Sequence, residues 1–169
     1  MKSPTKSKEL DTLFLDALKD IYYAERKILR ALPKMMRAAQ SPQLKAAFQQ
    51  HKDETEVQKD RLDQVFELLG RRPQGKTCPA IDGILEEGEE VMDTFKGTAA
   101  LDAGLVAAAQ AVEHYEMARY GTLCAWAKVL GMEDAALLLT QTLEEEKRTD
   151  ETLTELAHSE INQMAIAAE

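Results

Sequence analysis

The stretch Leu18-Lys-Asp-Ile-Tyr-Tyr-Ala-Glu-Arg-Lys-Ile28 decides the fold class of this chain. Its apolar residues recur three and four positions apart, a spacing that places side chains on one face of an α-helix. The same stripe continues in both directions and comprises Leu10, Phe14, Leu18, Ile21, Ile28, Leu32 and Met35. We therefore predict a long amphipathic helix, helix A, over about residues 7–40, with a kink at Pro33 because proline lacks a backbone N–H donor.

Three further stretches have the same periodicity. Helix B begins at Ser41 and Pro42, because serine is a favoured N-cap and proline is favoured at the first helical position. It ends at Gly70, helix C is predicted over about residues 99–130, and helix D over about residues 133–167. The four stretches together predict an all-α chain.

The connection between helices B and C is long. Residues 71–79 have the composition of a loop, and residues 80–95 contain a short acidic helix with the sequence Glu86-Glu-Gly-Glu-Glu-Val-Met92. Two antiparallel hairpins joined by such a crossover are typical of a four-helix bundle with one long connection. A chain of 169 residues is also the size of one domain, so we expect a single domain over residues 1–169.

Composition and charge exclude several classes of function. With 44% hydrophobic residues and no apolar stretch approaching the roughly 20 residues of a spanning helix, the chain is expected to be soluble, with no membrane partner. The net charge of −9 repels phosphates, so we expect no nucleic-acid partner. The polar start, residues 1–8, does not resemble a signal peptide, which predicts the cytoplasm as compartment. Two cysteines are too few for a disulfide framework.

Acidic residues interrupt the apolar stripes of helices A and C. Glu25 lies at the centre of the helix A stripe, between Ile21 and Ile28. Glu116 lies on the helix C stripe, and Glu113 precedes it by one turn on the same side. Burying a carboxylate without a partner is costly, so acids at these positions call for an explanation.

Helices B and D carry possible metal ligands in similar positions. Helix B has His51 on its stripe and Glu54 at the edge, one turn apart, and helix D has Glu146 and Asp150 at consecutive turns. Which of Glu145 and Glu146 points inward stays open, because Glu146 fits the stripe of helix D whereas Glu145 fits an internal repeat. That repeat is a shift of 91 positions which superimposes Glu25 on Glu116 and Glu54 on Glu145.

Acids from four helices would crowd several carboxylates into one layer, and a cation would relieve the repulsion. Iron and manganese accept carboxylate oxygens with one or two imidazoles, and dinuclear sites in helical bundles use such turn-separated pairs. The alternative is that each glutamate turns to solvent or pairs with a lysine or arginine. Matching positions on four helices favour the dinuclear site. His114 and His158 lie off the stripes and are expected to be exposed.

Four motifs give the chain its resemblance to a known family. They are Leu18-Lys-Asp-Ile-Tyr-Tyr-Ala-Glu25, His51-Lys-Asp-Glu-Thr55, Val112-Glu-His-Tyr-Glu116 with Tyr120-Gly121, and Leu143-Glu-Glu-Glu-Lys-Arg-Thr-Asp150. In these motifs the chain resembles the bacterial ferritin-like stress-response family typified by YciF and YciE, over nearly its whole length. The resemblance implies a homodimeric, ferritin-like four-helix bundle with two metal ions.

Carried onto matching positions, the resemblance implies a set of metal ligands. The acids are Glu25, Glu54, Glu113, Glu116, Glu146 and Asp150, with His51 and Glu145 as further candidates. Wider ferritin-like proteins place a histidine three residues after the glutamate on helices B and D, where this chain has Val57 and Thr149. A site rich in carboxylates and poor in histidines favours hard ions and puts ordinary ferroxidase turnover in doubt.

Two hypotheses about function follow. In the first, the chain is a stress-response protein with a dinuclear site, iron or manganese, that reacts with oxygen or peroxide; whether it turns over as an enzyme stays open. In the second, it is a structural or assembly protein, a helical dimer whose metal is inert or absent. A DNA-protecting cage is disfavoured because the acidic body would repel DNA.

Overall fold

The computed structural model describes residues 9–167, and all regular structure within that range is helical. The elements are α1 (Leu10–Ala38), α2 (Pro42–Leu68), α3 (Pro79–Thr94), α4 (Leu101–Val129), α5 (Glu133–Leu156), a π-helical turn (Ala157–Ile161) and α6 (Asn162–Ile166). The all-α prediction is confirmed for this range. The first residues of predicted helix A and the polar N-terminal stretch lie outside the described residues.

The local signals for helix ends act as the sequence indicates. Ser41 is the N-cap of α2, and its hydroxyl accepts a hydrogen bond from the backbone N–H of Leu44 at 3.3 Å. Gly70 and Gly131 follow α2 and α4 with φ angles of 63° and 70°, a left-handed conformation that glycine adopts at little cost. Pro33 lies inside α1, which continues to Ala38.

Two regions differ from the predicted boundaries. The crossover helix α3 is 16 residues long, and the Cys78 thiol caps its start by accepting from the Ile81 N–H at 3.4 Å. Its acidic residues Glu86, Glu87, Glu89 and Glu90 are all exposed. The predicted helix D is interrupted after Leu156 by the π-helical turn.

The long helices enclose one core. Helix α1 packs against α2 and α4, α5 packs against the same two helices, and α3 lies across α1 and α4. The inner face of α4 is formed by buried residues: Leu105, Ala109, Val112, Tyr120, Leu123 and Ala127. Cys124 is also buried. Among the described helices, none is both long and apolar enough to cross a lipid bilayer.

One buried acid ties the first turn of α4 to the link between α1 and α2. Asp102 is 7% exposed, and its carboxylate accepts from the backbone N–H of Gln40 at 2.8 Å and of Ser41 at 2.7 Å. These donors lie at the turn where α2 begins and have no partner within the helix. The carboxylate therefore fixes the position of α2 relative to α4.

Candidate metal centre

Four side chains that can bind a metal meet in the core. His51 of α2, Glu113 and Glu116 of α4, and Glu146 of α5 each offer a ligand atom, and all these atoms lie within 4.8 Å of one another. We call these four residues the buried cluster. The Nδ1 atom of His51 lies 3.1 Å from Glu113 Oε1, and its Nε2 atom lies 3.9 Å from Glu116 Oε2 and 3.8 Å from Glu146 Oε2.

Helix geometry explains why these residues meet. Glu113 and Glu116 are three residues apart and so lie on one face of α4. That face also carries Val112 and Leu123, which are buried. The carboxylates therefore enter the core on the same apolar stripe that packs α4 against its neighbours.

The contacts within the buried cluster are close, at 3.1 Å for His51 Nδ1 and Glu113 Oε1, but they are not aligned as hydrogen bonds. Within residues 9–167, both carboxylate oxygens of Glu113, Glu116 and Glu146 and the Nε2 atom of His51 have no hydrogen-bond partner. Buried polar atoms in folded proteins are nearly always paired, and carboxylates without a partner are especially costly. Six carboxylate oxygens and one imidazole nitrogen are therefore available as ligand atoms, and divalent cations bind atoms of both kinds. The residues present therefore fit a metal ion.

Glu25 borders the buried cluster from α1. Its side chain is fully buried, and one carboxylate oxygen accepts a hydrogen bond from the hydroxyl of Tyr120. The other oxygen has no partner among the described residues. Burial, with the nearby charge of Glu146, raises the pKa of Glu25 to about 8. Burial also raises the pKa of Tyr120 well above its usual range, so this hydroxyl stays a donor.

Burial controls the protonation of the cluster itself. It is the main cause that raises the pKa values of Glu113 and Glu116 well above the ordinary range, and the charge of Glu146 adds to both. It lowers the pKa of His51, which favours the neutral imidazole. A neutral imidazole is the form that binds metals. A cation entering the cluster would displace the protons that the carboxyls hold.

Two of the other predicted ligands have partners outside the cluster. Glu145 forms a two-point ion pair with Arg61, with distances of 2.6 and 2.7 Å. Glu54 is half-buried and accepts from Gln50 Nε2 at 3.0 Å and from Thr149 Oγ1 at 3.4 Å. Of the two adjacent acids on α5, Glu146 is the one that faces the core.

Asp150 lies at the edge of the same region. It is 19% exposed, and its Oδ1 atom lies 3.2 Å from His114 Nε2 and 3.2 Å from Gln110 Nε2. His114 and His158 are both exposed, which confirms that prediction.

The pairing of Glu145 with Arg61 could not be found from the sequence, because Arg61 lies on another helix at no recognisable spacing. The Tyr120 contact had a weak signal, since Tyr120 lies on the helix C stripe beside Glu116.

Comparisons with known proteins agree on one family. The sequence profile of the family described as "Domain of unknown function (DUF892)" matches residues 9–166. Protein YciF of Escherichia coli strain K12 is 44% identical over 159 residues, which cover 94% of this chain and 96% of that protein.

Two solved structures are also similar. The crystal structure described as that of the E. coli stress protein YciF matches with a TM-score of 0.88, covering 93% of this chain and 99% of the other. The structure described as YcfI, a putative structural protein from Rhodopseudomonas palustris, is 46% identical, with a TM-score of 0.86 and coverage of 90% and 98%. Sequence and fold therefore match the same group of proteins.

Proposed function

The chain belongs to the DUF892 family, and we propose that it is a stress-response protein that binds two metal ions in its core. Iron is the first candidate metal and manganese the second. The observation that carries the proposal is the set of buried carboxylate oxygens without hydrogen-bond partners in the described chain. The stress-related role rests on the similarity to a relative described as a stress protein.

We propose further that α1, α2, α4 and α5 form a ferritin-like four-helix bundle. The packing of α1 and α5 against the same two helices supports this arrangement. The bundle and the crossover would make residues 1–169 one domain. The family resemblance also leads us to propose a homodimer.

The inner ligands in this proposal are the buried cluster and Glu25. His51 would supply an imidazole nitrogen, and the carboxylates of Glu113, Glu116 and Glu146 would supply oxygens. Glu54 and Asp150, which lie at the edge, could complete a second position by turning inward. Glu145 is the weakest candidate, because it would first have to leave Arg61.

When bound, a ferrous pair would supply two electrons, enough to reduce one hydrogen peroxide to two water molecules with the uptake of two protons. The protein's own part is to bind, orient and shield. Tyr120 holds one oxygen of Glu25 in place, and the other oxygen has no hydrogen-bond partner among the described residues. The complete burial of Glu113, Glu116 and Glu146 keeps bulk water away from the ligands. The raised pKa values of Glu113 and Glu116 mean that these two carboxyls release protons as metal binds.

Anaerobic titration with Fe(II), followed by addition of peroxide or oxygen, tests the proposal. We expect about two ions per chain, as in other dinuclear helical bundles, and a new absorption band from ferric iron after the oxidant. Glu116→Gln should lose most of the binding, whereas Glu87→Gln, which changes an exposed acid on α3, should bind as the wild type does. A stoichiometry near zero would refute the metal site. Binding without an oxidised band would refute the redox role alone.

The second candidate function is structural. It is favoured by the description of the R. palustris relative as a putative structural protein. In that case the metal is inert or absent, and the buried carboxyls are tolerated in protonated form. Added metal would then leave the melting temperature of the dimer unchanged, in the wild type and in the Glu116→Ala variant alike.

A further inference from the structure

One ion pair on the surface joins α4 to α5. His114 is 66% exposed, and its Nε2 atom lies 3.2 Å from Asp150 Oδ1. Two adjacent ligands of a transition metal, each about 2.1 Å from the ion, are themselves about 3 Å apart. The two atoms therefore already have the separation of ligands that share an ion.

Each of the two residues is close in sequence to a cluster residue on its own helix. His114 follows Glu113 directly, and Asp150 lies one turn after Glu146 on α5. Asp150 is also within electrostatic reach of the interior: burial is the main cause that raises the pKa of Glu113, and Asp150 is among the nearby carboxylates that raise it further. Asp150 therefore contacts an exposed imidazole and is near enough to a buried carboxyl for its charge to be felt there.

A polar side chain fixes the acid at this place. Gln110 Nε2 donates to Asp150 Oδ1 at 3.2 Å and to Thr154 Oγ1 at 2.8 Å. Gln110 is four residues before His114 and lies on the same face of α4. This contact orients Asp150 toward α4, where His114 lies, rather than toward open solvent.

The interior side of this arrangement points to a ligand independently. Glu113 is completely buried, and neither of its carboxylate oxygens has a hydrogen-bond partner in the part of the chain that the structure describes. An ion that moved inward from His114 and Asp150 would therefore meet a carboxylate that lacks a partner.

We propose that His114 and Asp150 form an outer capture site that binds a divalent transition-metal ion from solvent and passes it to the buried cluster. This inference rests on the proposed function, because it needs an inner metal site to supply. It gives His114, which the stripe pattern placed outside the site, a part in loading it.

Uptake of Co(II) by the metal-free full-length protein tests the capture site, followed by the visible absorption of the bound ion in a stopped-flow instrument. Sites that concentrate ions raise association rates about 10- to 1000-fold, so His114→Ala should slow uptake about tenfold while the final absorbance stays the same. Asp150→Asn should slow it as well. The matched control is His158→Ala, which changes another exposed histidine, in the π-helical turn, and should leave the rate unchanged.

Three results would overturn the inference, and they separate its failure from that of the proposed function. If His114→Ala takes up Co(II) at the wild-type rate, the pair is a plain surface ion pair. If it reduces the final absorbance without slowing the initial rate, His114 is a resident ligand. If the wild type binds no Co(II), the inner site itself is refuted. His114→Gln serves as a second variant that keeps side-chain bulk, and circular dichroism confirms that each variant is folded.

Discussion

Two places in this protein bury acidic side chains, and they treat them in opposite ways. Asp102 is almost fully buried, and both of its oxygens accept backbone N–H groups at 2.7 and 2.8 Å. Glu113, Glu116 and Glu146 are buried at least as deeply, yet their oxygens accept no hydrogen bond from any described residue. Burial alone therefore does not distinguish a structural acid from a metal ligand. The partners of the oxygens do.

The difference has a thermodynamic reason. A buried carboxylate with two N–H donors is satisfied by the protein and needs nothing more. A group of buried carboxylates without donors either stays protonated or attracts a cation. The raised pKa values of Glu113 and Glu116 describe the first state, and metal binding would create the second. The two regions should therefore respond differently to metal and to substitution.

The largest effect should come from metal at the buried cluster. A free Mn(II) concentration about a thousand times the dissociation constant should raise the free energy of unfolding by about 4 kcal/mol. The double variant Glu116→Gln/Glu146→Gln should lose this increment, because two oxygen ligands are gone. Without metal it should be at least as stable as the wild type, since it no longer buries two neighbouring carboxyls. Urea denaturation with and without Mn(II) measures both quantities.

Wild-type protein from which metal has been removed with a chelator is the control for this measurement. If Mn(II) stabilises the double variant as much as the wild type, the ion binds elsewhere on the acidic surface. If the metal-free double variant is strongly destabilised, the carboxyls of Glu116 and Glu146 have structural partners in the wild type. Either result would remove the distinction between the cluster and Asp102.

A smaller effect, independent of metal, should follow substitution of Asp102. Asp102→Ala should lower the free energy of unfolding by about 2 to 3 kcal/mol, because it leaves the N–H groups of Gln40 and Ser41 buried without an acceptor. Asp102→Asn keeps one acceptor oxygen and should lose about half as much. The increment from Mn(II) should persist in both variants. Loss of that increment in Asp102→Ala would show that the α1–α2 turn and the cluster are coupled.

The sequence predicted the cluster better than it predicted the partners of the acids. Periodicity placed Glu25, Glu113, Glu116 and Glu146 on apolar stripes, and all four are buried. It could do so because the position of a residue on a helix face follows from local spacing alone. His51 was located by the same argument.

The remaining assignments depend on contacts between helices, which spacing does not encode. Glu145 on α5 pairs with Arg61 on α2. Asp102 accepts from the backbone N–H of Ser41, which lies 61 residues earlier in the chain. The partners of both acids could therefore be identified only in the packed structure. The same is true of Asp150 and His114, whose 3.2 Å contact joins α5 to α4.

The smallest effect should come from an acid on the surface, which extends the comparison to a third environment. Asp82 of α3 accepts from the Tyr23 hydroxyl at 2.8 Å and pairs with Lys27 at 3.1 Å. Burial alone would raise the pKa of Asp82, but these partners outweigh it and hold the pKa below its usual range. A lowered pKa means that the interaction stabilises the fold above the pKa of the unfolded chain, about 3.9, and that this stabilisation is lost as the pH falls through the folded value.

The difference in stability between the wild type and Asp82→Asn should therefore be constant near neutral pH and shrink as the pH falls toward about 3. It should stay smaller than the effect of Asp102→Ala at every pH, because water screens a surface pair whose members are more than a third exposed. Urea denaturation of both proteins over this range measures the difference. A gap that widens on acidification would mean that Asp82 is more stable protonated in the folded state, and that its contacts with Tyr23 and Lys27 are too weak to hold the charged form. In that case hydrogen-bond partners at the surface would not act on an acid as they do at Asp102, and depth of burial would have to be counted together with the partners.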